Sequence, residues 1–262
     1  MSALRIYRQG LLVGYRDFRD MWSLRSWFFG WMLRILTNAF AWVLLGRVVG
    51  SETRVQYLLV GNALAAGAAA ALWASNATTW SRLDGSHPLL VIAPSGLLPV
   101  VIGRTSIWLS NGVATSLVSF AVLLGAFGYR PSLLGVFLLP VVIVVVCWAT
   151  FCFALFMGAL LNSRPRYRNI ALDIAGMLML AICGASVPVS FWPAPIQLIA
   201  EVLPLTHGLV AARLLFTSAD LAAIVRPLTL ELLVGGCWLG LSLVAVTRLF
   251  NGGRADGSIE LT

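Results

Sequence analysis

Long apolar runs, broken by short arginine-bearing or proline-bearing segments, set the pattern of the chain. The first stretch differs. Between residues 3 and 22, Leu4, Tyr7, Leu11, Tyr15, Phe18 and Trp22 recur at helical spacing, with Arg5, Arg8, Arg16, Arg19 and Asp20 falling largely between them. That spacing predicts an amphipathic helix with a basic polar face, suited to lying in a membrane interface. Six apolar runs follow, at about 27–49, 56–78, 106–127, 134–160, 170–190 and 228–249. Each is near the ~20 residues that cross a hydrocarbon core. The pattern predicts an all-α polytopic membrane protein, a single transmembrane domain over residues 1–262.

Two connections are richer than linkers need to be. Residues 80–105 hold a charged cluster, a Gly85-Ser86 step, Pro88 and Pro94, and the apolar stripe Leu89 to Ile92. A short amphipathic helix starting near Ser86–Pro88 and stopping before Pro94 fits, because proline suits a first helical turn and ends a helix that it follows. The second connection, residues 191–226, is too apolar for an exposed loop, and Pro193, Pro195 and Pro204 cut it into pieces. Two short helices, about 195–203 and 205–216, folded back into the outer leaflet and packed on the bundle, fit that segment.

Composition agrees with the pattern. Of 262 residues, 60% are hydrophobic and 11% charged, and the mean hydropathy is +0.91. A soluble domain carries about a quarter charged residues. All 18 basic residues are arginine. The net charge of +8 does not point to nucleic acid, since the arginines flank apolar runs and no aromatic-interleaved groove accompanies them. They report orientation instead. With the N-terminus inside, twelve arginines are cytoplasmic; Arg47, Arg54, Arg130, Arg213 and Arg226 are outside, and Arg34 lies within the first run. Both termini and residues 80–105 are then cytoplasmic, as is the basic loop Arg164, Arg166, Arg168. No cleavable signal peptide is evident.

Candidate chemistry is sparse. Cys147, Cys152, Cys183 and Cys237 lie inside apolar runs and read as core residues, without metal-ligand spacing. His87 and His207 fall on opposite sides of the membrane. No paired carboxylates, Ser/His/Asp arrangement or H-E-x-x-H motif is present, so no catalytic or metal site is expected. A phosphate-binding loop is missing, and there is no lysine to complete one. Polar residues within the runs are the remaining candidates, because charge at bilayer depth is costly. Arg34 shares a helical stripe with Thr37, Asn38 and Ala41; it either lines a path or protomer interface, or snorkels to the headgroups. Asp173 reads as an ion-pair partner of the basic loop, and Glu231 as one of Arg226. Gly61, Ala65 and Ala69, four apart beside Asn62, predict close helix packing.

Two stretches together resemble the ABC-2 type transporter permeases of bacteria. Asp84-Gly85-Ser86-His87-Pro88-Leu89-Leu90-Val91-Ile92-Ala93-Pro94 is similar to that family's cytoplasmic Gly-Thr-Leu…Leu-Leu…(Ala/Thr)-Pro loop. Gly184…Pro188…Pro193…Pro204-Leu205-Thr206-His207-Gly208…Arg213 resembles its helix break and re-entrant Pro-Leu-Thr segment. The resemblance implies a coupling helix within 80–96 that docks on an ATP-binding subunit through Asp84, Gly85, Ser86, His87, Leu89, Leu90, Ala93 and Pro94. It implies a re-entrant segment built on Pro188, Pro193, Pro204, Thr206 and Gly208. The family's first, second and fifth spans face the translocation path, which makes Arg34, Asn38, Asn62 and Met179 the lining candidates.

The family often has a glutamate three residues after the glycine; here Pro88 stands there and Asp84 is the only acid, a docking surface suited to one particular ATPase. The implied function is non-enzymatic: outward movement of a hydrophobic or amphipathic compound (drug, antibiotic or lipid) across the bacterial plasma membrane by alternating access. ATP and magnesium would belong to the ATPase, this chain binding no cofactor. A second copy or a homologous permease would complete the path within membrane lipid. A lipid-linked glycan exporter subunit and a non-transporting assembly subunit are the alternatives. A membrane enzyme would need clustered acids, and these are scattered.

Overall fold

The computed structural model describes residues 3–76, 97–161, 168–217 and 220–255. The expected coupling stretch, from Asp84 through Gly85, Ser86, His87, Leu89, Leu90 and Ala93 to Pro94, lies outside the described residues, as do residues 162–167 of the basic loop.

Among the described residues the regular structure is helical and no strand occurs. Helix α1 is Ala3–Met21. Helix α2 is Leu24–Val48, interrupted by a wide π-type turn at Trp27–Met32. Ser23 opens it, its Oγ accepting the Ser26 N–H at 3.2 Å. Helix α3 is Glu52–Asn76, opened in the same way by Ser51. Then come α4, Leu97–Phe127; α5, Leu133–Leu161; α6, Arg168–Ile182; α7, Ala194–Val202; α8, Thr206–Thr217; and α9, Leu221–Ala255. Five helices (α2, α3, α4, α5 and α9) are long and apolar enough to cross a membrane, and α7 with α8 forms an apolar pair bent by 85°. The chain is a multi-pass α-helical membrane protein.

Three boundaries differ most from the sequence expectation. Helix α4 starts at Leu97 rather than 106, because Pro99 falls in its first turn, where proline costs no hydrogen bond. Helix α9 runs through Pro227 instead of starting after it; apolar bundles re-satisfy the freed carbonyl through neighbours. Helix α6 stops at Ile182 rather than continuing to 190, because Gly184 turns the backbone with φ +92°. Its 15 residues span roughly 22 Å, less than the ~30 Å core.

Helix α3 is the hub. Its most apolar stretch is 83% buried, against 28% for α2 and 22% for α9. Small residues make this possible, since backbones approach only where side chains are short. A Cβ on Gly67 would lie 2.8 Å from the Gly112 carbonyl of α4. Ser116 donates from α4 to the Ala63 carbonyl at 3.1 Å, within the same crossing. At one end of the bundle, aromatic rings join four elements: Trp22 meets Trp31, Trp31 meets Trp73, and Trp73 stacks on Trp108, each pair 5.6 to 5.7 Å apart.

Helix α1 packs on α4 through a face that the apolar periodicity did not mark. Gly10 and Gly14 meet α4 so closely that a Cβ on Gly14 would collide with the Arg104 carbonyl. Arg104 Nε contacts Asp17 Oδ2 at 2.7 Å, and Phe18 packs edge-on against Trp108. Arg104, expected only as an orientation marker, therefore also ties two helices together. Leu4 and Tyr15 of the predicted apolar stripe remain exposed.

Candidate membrane groove and its clamped end

A cavity of about 530 Å³ lies between α2, α3, the end of α6 and the turn that follows it. Helix α2 contributes Arg34, Asn38 and Trp42; α3 contributes Asn62, Ala65, Ala66 and Ala69; α6 contributes Leu180 and Ala181. Ala185, Ser186, Val187 and Trp192 complete the wall. Arg34 and Asn38 are exposed in the single chain, so the cavity opens along α2. A smaller cavity of about 150 Å³ shares Ala69 and Leu180 and extends towards Ser75, Asn76 and Asp173.

The volume has a local cause. Alanines at 65, 66 and 69 line α3 where leucines would fill the space. The Gly61–Ala65–Ala69 stripe is thus split: Gly61 packs against the Ala185 carbonyl, and the two alanines border open volume. Arg34, Asn38 and Asn62, expected to line a path, share this cavity. Met179 does not. It is 1% exposed and faces the core, while Met177 is 71% exposed; two residues along a helix rotate a side chain by ~200°.

The wall at the Gly184 end is held by a clamp. Arg213 of α8 donates through Nη2 to the Gly184 carbonyl at 2.7 Å and the Ala185 carbonyl at 3.3 Å. Its guanidinium lies 3.5 Å from the centre of the Tyr57 ring, and Tyr57 donates its hydroxyl to Gly184 O at 2.9 Å. A Cβ on Gly61 would strike the Ala185 carbonyl, so glycine is what lets α3 come this near. One turn of chain is therefore fixed between α3 and α8, and its next residues form the cavity wall.

The bend between α7 and α8 is satisfied by side chains from elsewhere. Glu231 of α9 is fully buried and accepts the Leu205 N–H at 2.7 Å and the Gly208 N–H at 2.8 Å. A carboxylate there meets the N–H groups that a helix start leaves open, and the positive end of its dipole. This replaces the expected pairing with Arg226: a buried acceptor is worth more to two orphaned backbone donors than to an arginine that can reach water. The α7 carbonyls are matched in turn. Thr206 donates to Ala200 O at 2.6 Å and Trp238 to Val202 O at 2.8 Å, while His207 Nε2 lies 3.0 Å from Glu201 O.

Leu205 holds φ at +87°, a strain of about 1–3 kcal/mol for a leucine. Its side chain is fully buried, and deleting a buried leucine side chain costs about 2–5 kcal/mol, so packing outweighs the strain. The remaining predicted positions cluster here as well. Gly208 leaves no room for a Cβ beside Val146, and Cys183 Sγ lies 3.4 Å from the Pro204 carbonyl. Pro188 precedes the short helical turn Val189–Phe191, and Pro193 precedes α7. Cys237, expected in the core, is exposed on α9.

Three working parts escaped the sequence reading. Gly10 and Gly14 carried a visible signal, the four-residue glycine spacing. Glu231 was visible as a charge in an apolar run, but its partners lie 26 and 23 residues away. Tyr57 gave no signal. Among the described residues no group of three or more His, Cys, Asp or Glu is arranged to hold a metal ion. No protein-family model matches the chain, and no curated protein matches it.

Proposed function

We propose that the chain is the membrane permease subunit of an ATP-driven ABC-2 type exporter that moves a hydrophobic or amphipathic substrate (drug, antibiotic or lipid) out across the bacterial plasma membrane. The observation that carries this is the cavity between α2, α3 and α6, closed at one end by a turn that Arg213 and Tyr57 clamp. In this reading α6 is the fifth of six crossings, and the bent α7–α8 pair dips into the outer leaflet and returns. Both termini are then cytoplasmic, and α1 lies at the inner interface with Leu4 and Tyr15 towards lipid. Residues 80–96 dock on a separate ATPase, and its ATP-driven closure passes into α3 and α4, which flank that segment. A second copy or a homologous permease completes the path.

Co-expression with the ATP-binding subunits of the same genome tests this. One of them co-purifies with the wild-type chain, and the pair drives ATP-dependent flux in vesicles. Gly85→Asp with Leu90→Asp abolishes co-purification while the chain stays monodisperse. Retained coupling in that variant defeats the docking assignment, and a bound ATPase without flux defeats the transport assignment.

A further inference from the structure

We infer that the α2–α3–α6 cavity is selective for an anionic amphiphile, an apolar body of drug size bearing a carboxylate, phosphate or similar group that Arg34 receives. The inference deepens the exporter reading and rests on it for what the site is for.

The argument starts from depth. Arg34 stands nine residues beyond Arg25 within the same apolar helix, roughly 13 Å along its axis. A cation there is costly without a counter-charge. Its one recorded contact among the described residues is the face of Trp31, 5.6 Å from the ring centre. A cation–π contact at an exposed site offsets only a fraction of that cost. Among the described residues no Asp or Glu lines the cavity. Asp173 borders the smaller neighbouring cavity instead.

Among the described residues Arg34 is the one charged group in the lining, and Asn38, Asn62 and Ser186 are neutral groups that bring acceptors as well as donors. Asn62 spends its Nδ2 on the Leu58 carbonyl at 2.8 Å. Asn38 stands one turn above Arg34 on α2, on the same wall. One cation and a few neutral polar groups thus border a cavity otherwise walled largely by alanine, leucine, valine and tryptophan carbon. Charge complementarity selects an acceptor-rich anion, and the walls select an apolar remainder. A volume of about 530 Å³ falls in the range of ~300–1,000 Å³ that takes drug-sized ligands, which favours such a molecule over a whole two-tailed phospholipid.

The test uses the full-length chain in nanodiscs of phosphatidylcholine, with dansyl-undecanoic acid and its methyl ester as probes and protein-free discs as background. Wild type binds the acid about tenfold tighter than the ester, as a charge-assisted hydrogen bond requires. Arg34→Gln removes the preference, Arg34→Lys keeps part of it, and Arg47→Gln at the far end of α2 leaves it intact. Equal affinity for acid and ester overturns the inference, and so does a preference that survives Arg34→Gln. Loss of acid binding when phosphatidylglycerol replaces phosphatidylcholine overturns it too, since the occupant is then bulk anionic lipid. Should Arg34→Gln fail to stay monodisperse, Arg34→Lys against Arg34→Met decides the matter by the same ratio. Acid selectivity without any associating ATPase sinks the exporter reading and leaves this inference standing. ATP-driven flux that ignores substrate charge does the reverse.

Discussion

Arg213 and Arg34 are cations on apolar helices with opposite surroundings. Arg213 is enclosed: two backbone carbonyls accept from it and the Tyr57 ring covers its face. Arg34 is exposed on the wall of a cavity with a single ring beside it. The first rests one nitrogen on the protein's own carbonyls and its face on a ring, with Nε buried and unpartnered among the described residues, so its work is to hold the Gly184–Ala185 turn. The second keeps its donors open, so its work lies with something that enters from outside. The difference teaches that charge at membrane depth is not one signal. What decides its meaning is whether the fold supplies acceptors.

The largest effect that sharpens this contrast is on the enclosed side. Glu231→Ala strands two buried N–H groups at the α7–α8 bend and costs about 3 kcal/mol or more. Thermal unfolding of the full-length chain in detergent reads the loss, and Glu231→Gln, which keeps one acceptor, loses less. An unchanged midpoint for Glu231→Ala removes the buried-acceptor account of the bend.

Next comes the direct pairing of the two arginines in the same assay. Arg213→Leu leaves the Gly184 carbonyl with one donor fewer and costs about 2 kcal/mol. Arg34→Leu changes stability by less than about 0.5 kcal/mol or raises it, since it removes an uncompensated cation. Equal losses for both collapse the distinction.

An effect of similar size, about 1–3 kcal/mol, is expected for Gly61→Ala, because the Ala185 backbone must give way. The smallest belongs to Ala69→Leu, which fills the shared edge of the two cavities. Stability moves by under about 0.5 kcal/mol, while amphiphile binding is lost. A large stability loss at Ala69 means that this space is structural.

Much of the architecture was legible along the chain. Five of the six apolar runs matched the long helices, and the proline-cut segment expected as helices near 195–203 and 205–216 is the pair Ala194–Val202 and Thr206–Thr217. Proline acts on its own neighbours, so its consequence is local and readable. The glycine face of α1 was half legible, since Gly10 and Gly14 stand four apart but the aromatic stripe is the stronger periodic signal. Of the cavity, Arg34 and Asn38 stood out as polar positions on one stripe of an apolar run, and Asn62 was a candidate through the family resemblance. Met179 was placed there too, and a rotation of two residues puts it in the core.

The sequence by itself determined the class of molecule, the extent of most helices and the place where the chain must bend, because hydropathy, helical period and proline geometry are properties of neighbouring residues. Only the tertiary structure decided that Glu231 serves the Leu205 and Gly208 N–H groups, that Tyr57 and Arg213 close on Gly184, and that alanines at 65 and 69 border a cavity. Periodicity says which face of a helix is apolar. It does not say which helix meets that face, or whether the meeting leaves a space.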